Sequence, residues 1–306
     1  MTAPARSRAT WWWIAQSVVL LVVAALVWRA LSHNWTEFRS AQFAIDLEPA
    51  WLALSVALVG LTYLVLIESW RRLLTGWGQS LRLGSAARIW FLSNLGRYVP
   101  GKVWSVAGMV VLAQREGVEP WAATAAAVAV QAIGIGTAVA VVATATPGAE
   151  SAVRLAIAAA LALGTIAVLA WEFTTRQIRL RVPRFEELRP IPLAVLLTST
   201  GLTLLGWLLY GASFWALARG LGIQALTLPI AAATFALGYI LGLLALFAPG
   251  GVGVREFTLI ALLTPALGAG AAIGLSVASR LQLTLTEAAA GVAALMASRS
   301  TRGEVQ

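Results

Sequence analysis

Cysteine is absent from the 306-residue sequence, and charged side chains are scarce. Without cysteine, disulfide bonds, thiolate metal sites and cysteine nucleophiles are all excluded. Charged residues make up 11% of the chain and hydrophobic residues 59%, whereas soluble domains carry roughly 25% charged and about 45–50% apolar residues. A water-soluble fold of this composition would have no polar surface to present. The sequence therefore predicts a protein embedded in a membrane.

Motifs of soluble enzymes are also missing. The sequence contains no Walker motif, no zinc-ligand pattern and no Gly-x-Ser-x-Gly, and no polar stretch is long enough for a soluble catalytic domain. The only histidine, His33, lies beside Asn34 in a short polar region, and we interpret it as a residue of the membrane interface. We therefore expect no catalytic residue, no metal site and no cofactor.

Positive charge is carried almost entirely by arginine. Among 22 Lys and Arg residues only Lys102 is a lysine, and the formal net charge is +9. In a soluble protein this charge would suggest a nucleic-acid partner. Here the arginines gather in two regions, 71–88 and 176–189, and such enrichment marks cytoplasmic loops of membrane proteins. We interpret the charge as a topology signal and expect no nucleic-acid binding.

Several apolar stretches are long enough to cross roughly 30 Å of hydrocarbon. They are Trp11–Leu31, Pro49–Ile67, Trp121–Ala145, Ala152–Trp171, Pro192–Leu217 and Leu267–Ala297. The first is longer than the core of a signal peptide, which favours an uncleaved helix, although a cleavable signal is the alternative. The basic regions place both termini in the cytoplasm, and we expect the protein in a bacterial cytoplasmic membrane.

Two Pro-Gly sequences interrupt apolar segments. Residues 96–101 separate short helical pieces at Ser85–Leu95 and Val103–Ala113, and residues 248–251 separate pieces at 226–247 and 252–263. Pro-Gly cannot continue a helix, and the first two pieces are too short to span. Each break is either a kinked crossing or the tip of a re-entrant hairpin. The positions of the basic loops favour hairpins that enter from opposite faces.

The predicted fold is an all-α polytopic membrane protein with about six full crossings and two re-entrant hairpins, or seven to eight crossings if hairpins are counted. One transmembrane domain covers residues 1–306. Its first half, 11–172, contains the break at 96–104. A basic cytoplasmic loop, 173–190, precedes the second half, 191–297, with the break at 248–256. Opposed breaks indicate a pseudo-inverted repeat, which in transporters places a site near the midplane.

The breaks carry charges at membrane depth, namely Arg97, Lys102, Arg255 and Glu256. A charge at the bilayer centre costs a few kcal/mol, so idle charges there are rare. A helix that restarts also presents free N–H groups and a positive dipole end. We therefore expect Arg97, Lys102 and Arg255 to bind a lipid phosphate. The alternative is that the first two reach the headgroups while Arg255 pairs structurally, although adjacent helical residues such as Arg255 and Glu256 point apart.

The breaks also contain the residues expected to shape the two hairpin tips: Pro100, Gly101, Pro249, Gly250, Gly251 and Gly253. Glycine lets the backbone approach a phosphate group closely.

Other charges lie within or beside the spans. Arg280 and Glu287 are seven residues apart and share a helical face, so they either pair structurally or line a lipid path. Glu68 precedes Arg71 and Arg72, which predicts an ion pair at the interface. In addition, the glycines of the sequence Gly238-x-x-x-Gly242 suit close helix packing.

The sequences GRYVPGKVW (96–104) and APGGVGVRE (248–256) resemble the two signature stretches of the lysylphosphatidylglycerol synthase transmembrane-domain family, also known as UPF0104-type membrane proteins. The resemblance covers nearly the whole chain. It implies a domain similar to the flippase part of the multiple-peptide-resistance proteins, which move aminoacylated phosphatidylglycerol to the outer leaflet. Other relatives accompany polyprenyl-linked sugar or hopanoid pathways. Within that family the resemblance singles out ten residues of the two breaks: Arg97, Pro100, Gly101, Lys102, Pro249, Gly250, Gly251, Gly253, Arg255 and Glu256.

The resemblance implies a flippase or translocase of an anionic phospholipid or a polyprenyl-phosphate-linked lipid. The synthases of this family carry a further soluble aminoacyl-transferring domain, so we do not expect this chain to make lysyl-lipid itself. Two alternatives remain open. One is a non-transporting partner of a lipid-modifying or envelope-glycan enzyme. The other is an intramembrane transferase with Glu256 or Glu287 as its base.

Overall fold

The computed structural model describes residues 47–94, 96, 103–145, 190–245 and 248–303, with short pieces at 164, 176–177 and 180–181. All regular elements in these ranges are helical, which confirms the predicted fold class. They are α1 (Pro49–Gly76), α2 (Leu83–Asn94), α3 (Val103–Arg115), α4 (Pro120–Ala145), α5 (Leu193–Gly220), α6 (Leu228–Leu244), a 3₁₀ turn (Pro249–Gly251), α7 (Val254–Leu267) and α8 (Ala269–Gly303). The predicted spans 11–31 and 152–171 lie outside the described residues.

Three of the described helices, α1, α4 and α5, are long and apolar enough to cross a membrane. Their positions match the predicted spans, but α1 continues past Ile67 to Gly76. The reason is local charge pairing, because Glu68 contacts both Arg71 and Arg72 on the helix surface. The predicted ion pair is thereby confirmed, and its members extend the helix instead of ending it. Helix α8 is 35 residues long, and Arg280 and Glu287 interrupt its apolar character.

Helices α1 and α5 pack antiparallel along a seam of small and hydroxyl-bearing residues. The seam consists of Ser55, Thr62 and Ser69 on α1 and of Ser213, Gly206 and Ser199 on α5. At one end, the Ser55 hydroxyl donates to the Ser213 carbonyl at 2.7 Å, and the Ser213 hydroxyl donates to the Ser55 carbonyl at 2.9 Å. The other end repeats this exchange between its two serines at 3.0 and 3.2 Å. The seven-residue spacing keeps one face of each helix against its partner, and small residues allow close approach.

Both Pro-Gly breaks separate helices that fold back on each other. In the first, a Cβ atom on Gly96 would lie 2.8 Å from the backbone carbon of Trp104, and α2 packs along α3. In the second, a Cβ atom on Gly251 would lie 2.9 Å from Cα of Gly242, and α6 packs along α7. The arms therefore run antiparallel as helical hairpins. Gly238 and Gly242 face α7, so the glycine spacing does serve close packing.

The described helices form two groups of four in the same order: one helix, a hairpin, then another helix. The helix pairs that pack closely are α1–α2 and α5–α6, α2–α3 and α6–α7, α3–α4 and α7–α8, α1–α4 and α5–α8, α4–α5 and α1–α8, α4–α6 and α2–α8, and α1–α5. Replacing each helix by its counterpart in the other group (α1 with α5, α2 with α6, α3 with α7 and α4 with α8) reproduces the same set of pairs. Because α1 and α5 are antiparallel, the two hairpins also begin at opposite ends of the bundle. An inverted repeat requires this order and orientation.

Candidate functional site

The second break is a tight backbone turn built by three glycines. Gly250, Gly251 and Gly253 have positive φ angles of 59°, 67° and 85°. Other residues rarely adopt these angles because Cβ would collide with the backbone. Helix α7 then begins, and the Glu256 carboxylate accepts a hydrogen bond from the Gly253 N–H at 2.6 Å. This contact satisfies one of the free donors at the helix start and places a negative charge at the positive dipole end.

Arg280 of α8 joins this turn. Its Nη1 atom donates to the Gly250 carbonyl oxygen at 3.1 Å and lies 3.4 Å from a carboxylate oxygen of Glu256. The guanidinium thus satisfies a carbonyl that the broken helix leaves without a partner, and it neutralises Glu256. The contact holds the second hairpin against α8.

Arg255 lies on the other side of the same turn and is only 7% exposed. Its Nη2 atom donates to the Ser279 hydroxyl at 3.1 Å, and its guanidinium stacks over the Phe235 ring at 4.7 Å. As expected, Arg255 and Glu256 each contact other partners. The Arg255 Nε–H is buried without a hydrogen-bond partner among the described residues. Burying a cation that is held by one hydroxyl and an aromatic ring costs free energy.

Glu287, one of the other predicted membrane-depth charges, is 8% exposed. It accepts a hydrogen bond from the Tyr63 hydroxyl of α1 at 2.9 Å. Arg280 thus connects α8 to the second break, and Glu287 connects α8 to α1.

A cavity that is partly open to its surroundings lies beside the first hairpin. Six helices, α1 to α6, supply its wall. The polar and aromatic lining residues are Tyr63, Trp90, Asn94, Ser105, Gln131, Thr203, Trp207, Tyr210 and Tyr239.

Aromatic rings connect this cavity to the second break. Tyr63 and Tyr210 line the cavity, with ring centroids 6.2 Å apart. Tyr210 stacks on Phe235 at 5.0 Å, and Phe235 lies beneath the Arg255 guanidinium. The Phe235 ring therefore separates the Arg255 guanidinium from Tyr210 in the cavity wall.

A comparison with known families shows which family the chain belongs to. The family model described as the lysylphosphatidylglycerol synthase transmembrane region matches residues 12–291. The chain belongs to this family. The match includes both breaks and every residue that lines the cavity. Among individually curated proteins, none matches the chain.

Membership of the lysylphosphatidylglycerol synthase transmembrane-region family makes this a membrane protein connected with lipid metabolism or translocation. Four of the predicted site residues, Arg97, Pro100, Gly101 and Lys102, lie outside the described part of the chain. The cavity residues Asn94 and Ser105 flank this stretch in the sequence. Pro249, which precedes the glycines of the second break, begins the 3₁₀ turn.

The structure brings together Arg255, Glu256 and Arg280 around the second break. It also shows a set of residues that the sequence reasoning missed: the uncharged lining of the cavity. No sequence signal marks them, because each helix contributes only a few residues of ordinary type. Within the described ranges, no group of three or more His, Asp and Glu side chains is placed to hold a metal ion.

Proposed function

We propose that this chain is a flippase that moves an anionic phospholipid or a polyprenyl-phosphate-linked lipid across the bacterial cytoplasmic membrane, with both termini in the cytoplasm. The observation that carries the proposal is a partly open cavity, lined by six helices, beside one of two antiparallel hairpins that begin at opposite ends of a two-fold bundle. Transporters built from inverted repeats bind their substrates at such interfaces. The family match supports a lipid as the substrate class.

The headgroup would occupy the cavity while the acyl or prenyl tails stay in the bilayer. Asn94 and Ser105 line this cavity, and the sequence between them contains Arg97 and Lys102. We assign these two cations to the lipid phosphate, because charge-assisted hydrogen bonds to phosphate are strong. Arg255 is enclosed by Ser279 and Phe235, so it would reach a phosphate only after the second hairpin moves.

Movement would exchange the roles of the two halves. Gln131 and Arg280 are each the twelfth residue of their helices, α4 and α8, and therefore occupy equivalent positions in the repeat. Gln131 lines the open cavity, whereas Arg280 contacts Glu256 and the turn of the second hairpin. In this state the cavity lies open beside the first hairpin, while the Arg280–Glu256 contact holds the second hairpin against α8. The opposite state would require the Arg280–Glu256 contact to separate.

We expect no catalysis by this domain. A transferase would need a free carboxylate as its base. Glu256 accepts from Gly253 and contacts Arg280, and Glu287 accepts from Tyr63. Both carboxylates thus have a structural use that accounts for their positions.

The proposal is tested by reconstituting the purified protein into liposomes with trace fluorescent anionic lipids. Quenching with dithionite, which does not cross the membrane, measures how fast inner-leaflet lipid becomes accessible. We expect the protein to accelerate exchange of an anionic lipid, and Lys102→Ala and Arg255→Ala to slow it at least tenfold if each removes a charge-assisted contact of roughly 1.5–3 kcal/mol.

Arg82→Ala is the matched control, because Arg82 is an exposed arginine in the α1–α2 connection. It should exchange lipid at the unaltered rate. No acceleration of any anionic lipid by the unaltered protein would refute the flippase proposal. Co-purification of a stoichiometric membrane enzyme would then favour the alternative role as its partner. Full activity of both charge variants would refute the assignment of Lys102 and Arg255.

A further inference from the structure

The described residues that line the cavity carry no formal charge. Their polar groups are amides, hydroxyls and two indoles. A charged group transferred from water into such a lining would need an opposite charge or several hydrogen bonds to compensate its lost hydration. The nearest acidic contact, Glu287, lies behind Tyr63 and accepts its hydrogen bond. The described part of the lining therefore offers hydrogen bonds and apolar contact.

Two lining side chains retain unused hydrogen-bonding capacity. Neither the Gln131 carboxamide nor the Tyr239 hydroxyl has a hydrogen-bond partner among the described residues. Gln131 is exposed although it lies in the middle of α4, because it faces the open space of the cavity. In contrast, the Trp207 indole donates to the Gly134 carbonyl at 3.0 Å. An amide offers two donors and one acceptor, and a phenol offers one of each.

Aromatic rings provide the apolar part of the wall. Trp207 packs edge to face against Tyr239, with ring centroids 5.1 Å apart, and Trp207 also packs against Tyr210. A sugar ring or a cyclic polyol has an apolar C–H face and a rim of hydroxyl groups. The face matches aromatic rings, and the rim matches uncharged donors and acceptors.

We infer that the cavity binds the uncharged polyhydroxyl part of a lipid headgroup, namely a glycosyl or cyclic polyol group that is joined to its lipid through phosphate. The inference rests on the proposed function and narrows its substrate class. Gln131 and Tyr239 supply the specific hydrogen bonds, while Trp207 and Tyr210 supply the apolar surface. Among the described lining residues no carboxylate is present to pair with a headgroup ammonium.

The test compares four lipids with the same fluorescent acyl chain in proteoliposomes: phosphatidylinositol, phosphatidylglycerol, phosphatidic acid and lysylphosphatidylglycerol. The first carries a cyclic polyol, the second a short polyol, the third a bare phosphate and the fourth an ammonium. Initial exchange rates are measured by dithionite quenching, with protein-free vesicles as background. We expect phosphatidylinositol to move fastest.

Two variants test the named side chains. Gln131→Leu keeps the approximate volume and removes the amide, and Tyr239→Phe keeps the ring and removes the hydroxyl. Each should slow phosphatidylinositol between about two- and tenfold, the range that one lost hydrogen bond produces, and leave the phosphatidic acid rate unchanged. Gln282→Leu is the matched control, because the Gln282 amide donates to Ser55 in the α1–α5 seam and does not line the cavity. It should leave the ratio of the two rates unchanged.

The outcomes separate this inference from the proposed function. If none of the four lipids moves faster than in protein-free vesicles, the proposed function fails. If the protein moves all four equally, or moves the lysyl lipid or phosphatidic acid fastest, the flippase proposal stands and the polyhydroxyl inference is overturned. The inference is also overturned if the cavity variants slow every lipid by the same factor.

Discussion

A single methyl group at Gly251 should open the second hairpin. Gly251 has a φ angle of +67°, and its backbone lies against Gly242 on the facing arm. In Gly251→Ala the new Cβ atom would sit 2.9 Å from both the Cα atom and the carbonyl oxygen of Gly242. These are backbone atoms of a packed helix, so they cannot move aside as a flexible side chain could. The substitution must either strain the turn or push α6 and α7 apart.

Two terms contribute to the expected loss of stability. A residue with a side chain in the left-handed conformation costs about 1–2 kcal/mol relative to glycine. The collision with Gly242 adds about 1–3 kcal/mol, the usual range for overpacking a well-packed interior. Gly251→Ala should therefore lower the free energy of unfolding by about 2–5 kcal/mol.

Gly78→Ala separates these two terms. Gly78 has a similar φ angle of +74°, but a Cβ atom there would meet nothing within 4 Å. This variant should lose only the conformational term. The measurement is the thermal unfolding midpoint of each purified variant in the same detergent, with lipid exchange as a second readout. Equal destabilisation by the two variants would refute the close approach of the hairpin arms.

Two further predictions concern the second break and the topology. Glu256→Gln and Arg280→Gln should each destabilise the protein by about 1–3 kcal/mol, because each loses a hydrogen bond to a charged group. The double variant should lose less than the sum of the two, because the two side chains share one contact. Additive effects in thermal unfolding would contradict that contact. Because the native chain has no cysteine, Ser80→Cys and Ala225→Cys each create a single labelling site in the loops that precede the two hairpins. A membrane-impermeant maleimide should reach them from opposite faces, since α1 and α5 run antiparallel; labelling from one face would contradict the inverted arrangement.

Much of the fold could be predicted from the sequence because membrane helices obey local rules. Apolar length located α1, α4 and α5, and the Pro-Gly breaks placed α2 and α3 within two residues of their observed ends. The errors lie at helix ends. Helix α1 continues through polar residues because Glu68 pairs with arginines three and four positions later. Such pairs become visible only when the side chains are placed on a helix.

The candidate site was only partly predictable. Charge at membrane depth pointed to Arg255, Glu256 and Arg280, and the structure brings these three together. Their partners could not be inferred, because Ser279 and Phe235 are ordinary residues on other helices. The cavity was missed for a similar reason. Its wall combines residues of six helices, and helical periodicity does not reveal which faces of different helices meet.

The two halves share their packing but differ in their chemistry, and this difference bears on how a lipid could cross. At the equivalent position in the repeat, the open half has the uncharged Gln131 and the closed half has Arg280 in contact with Gly250 and Glu256. Closing the first half would bring together amides, hydroxyls and aromatic rings, whose contacts are individually weak. Opening the second half would separate a charge pair and free a backbone carbonyl, which costs more inside a membrane. In the proposed flippase, the slow step of lipid movement should therefore lie in the second hairpin, and a lipid phosphate that replaces Glu256 as the partner of Arg280 would lower that barrier.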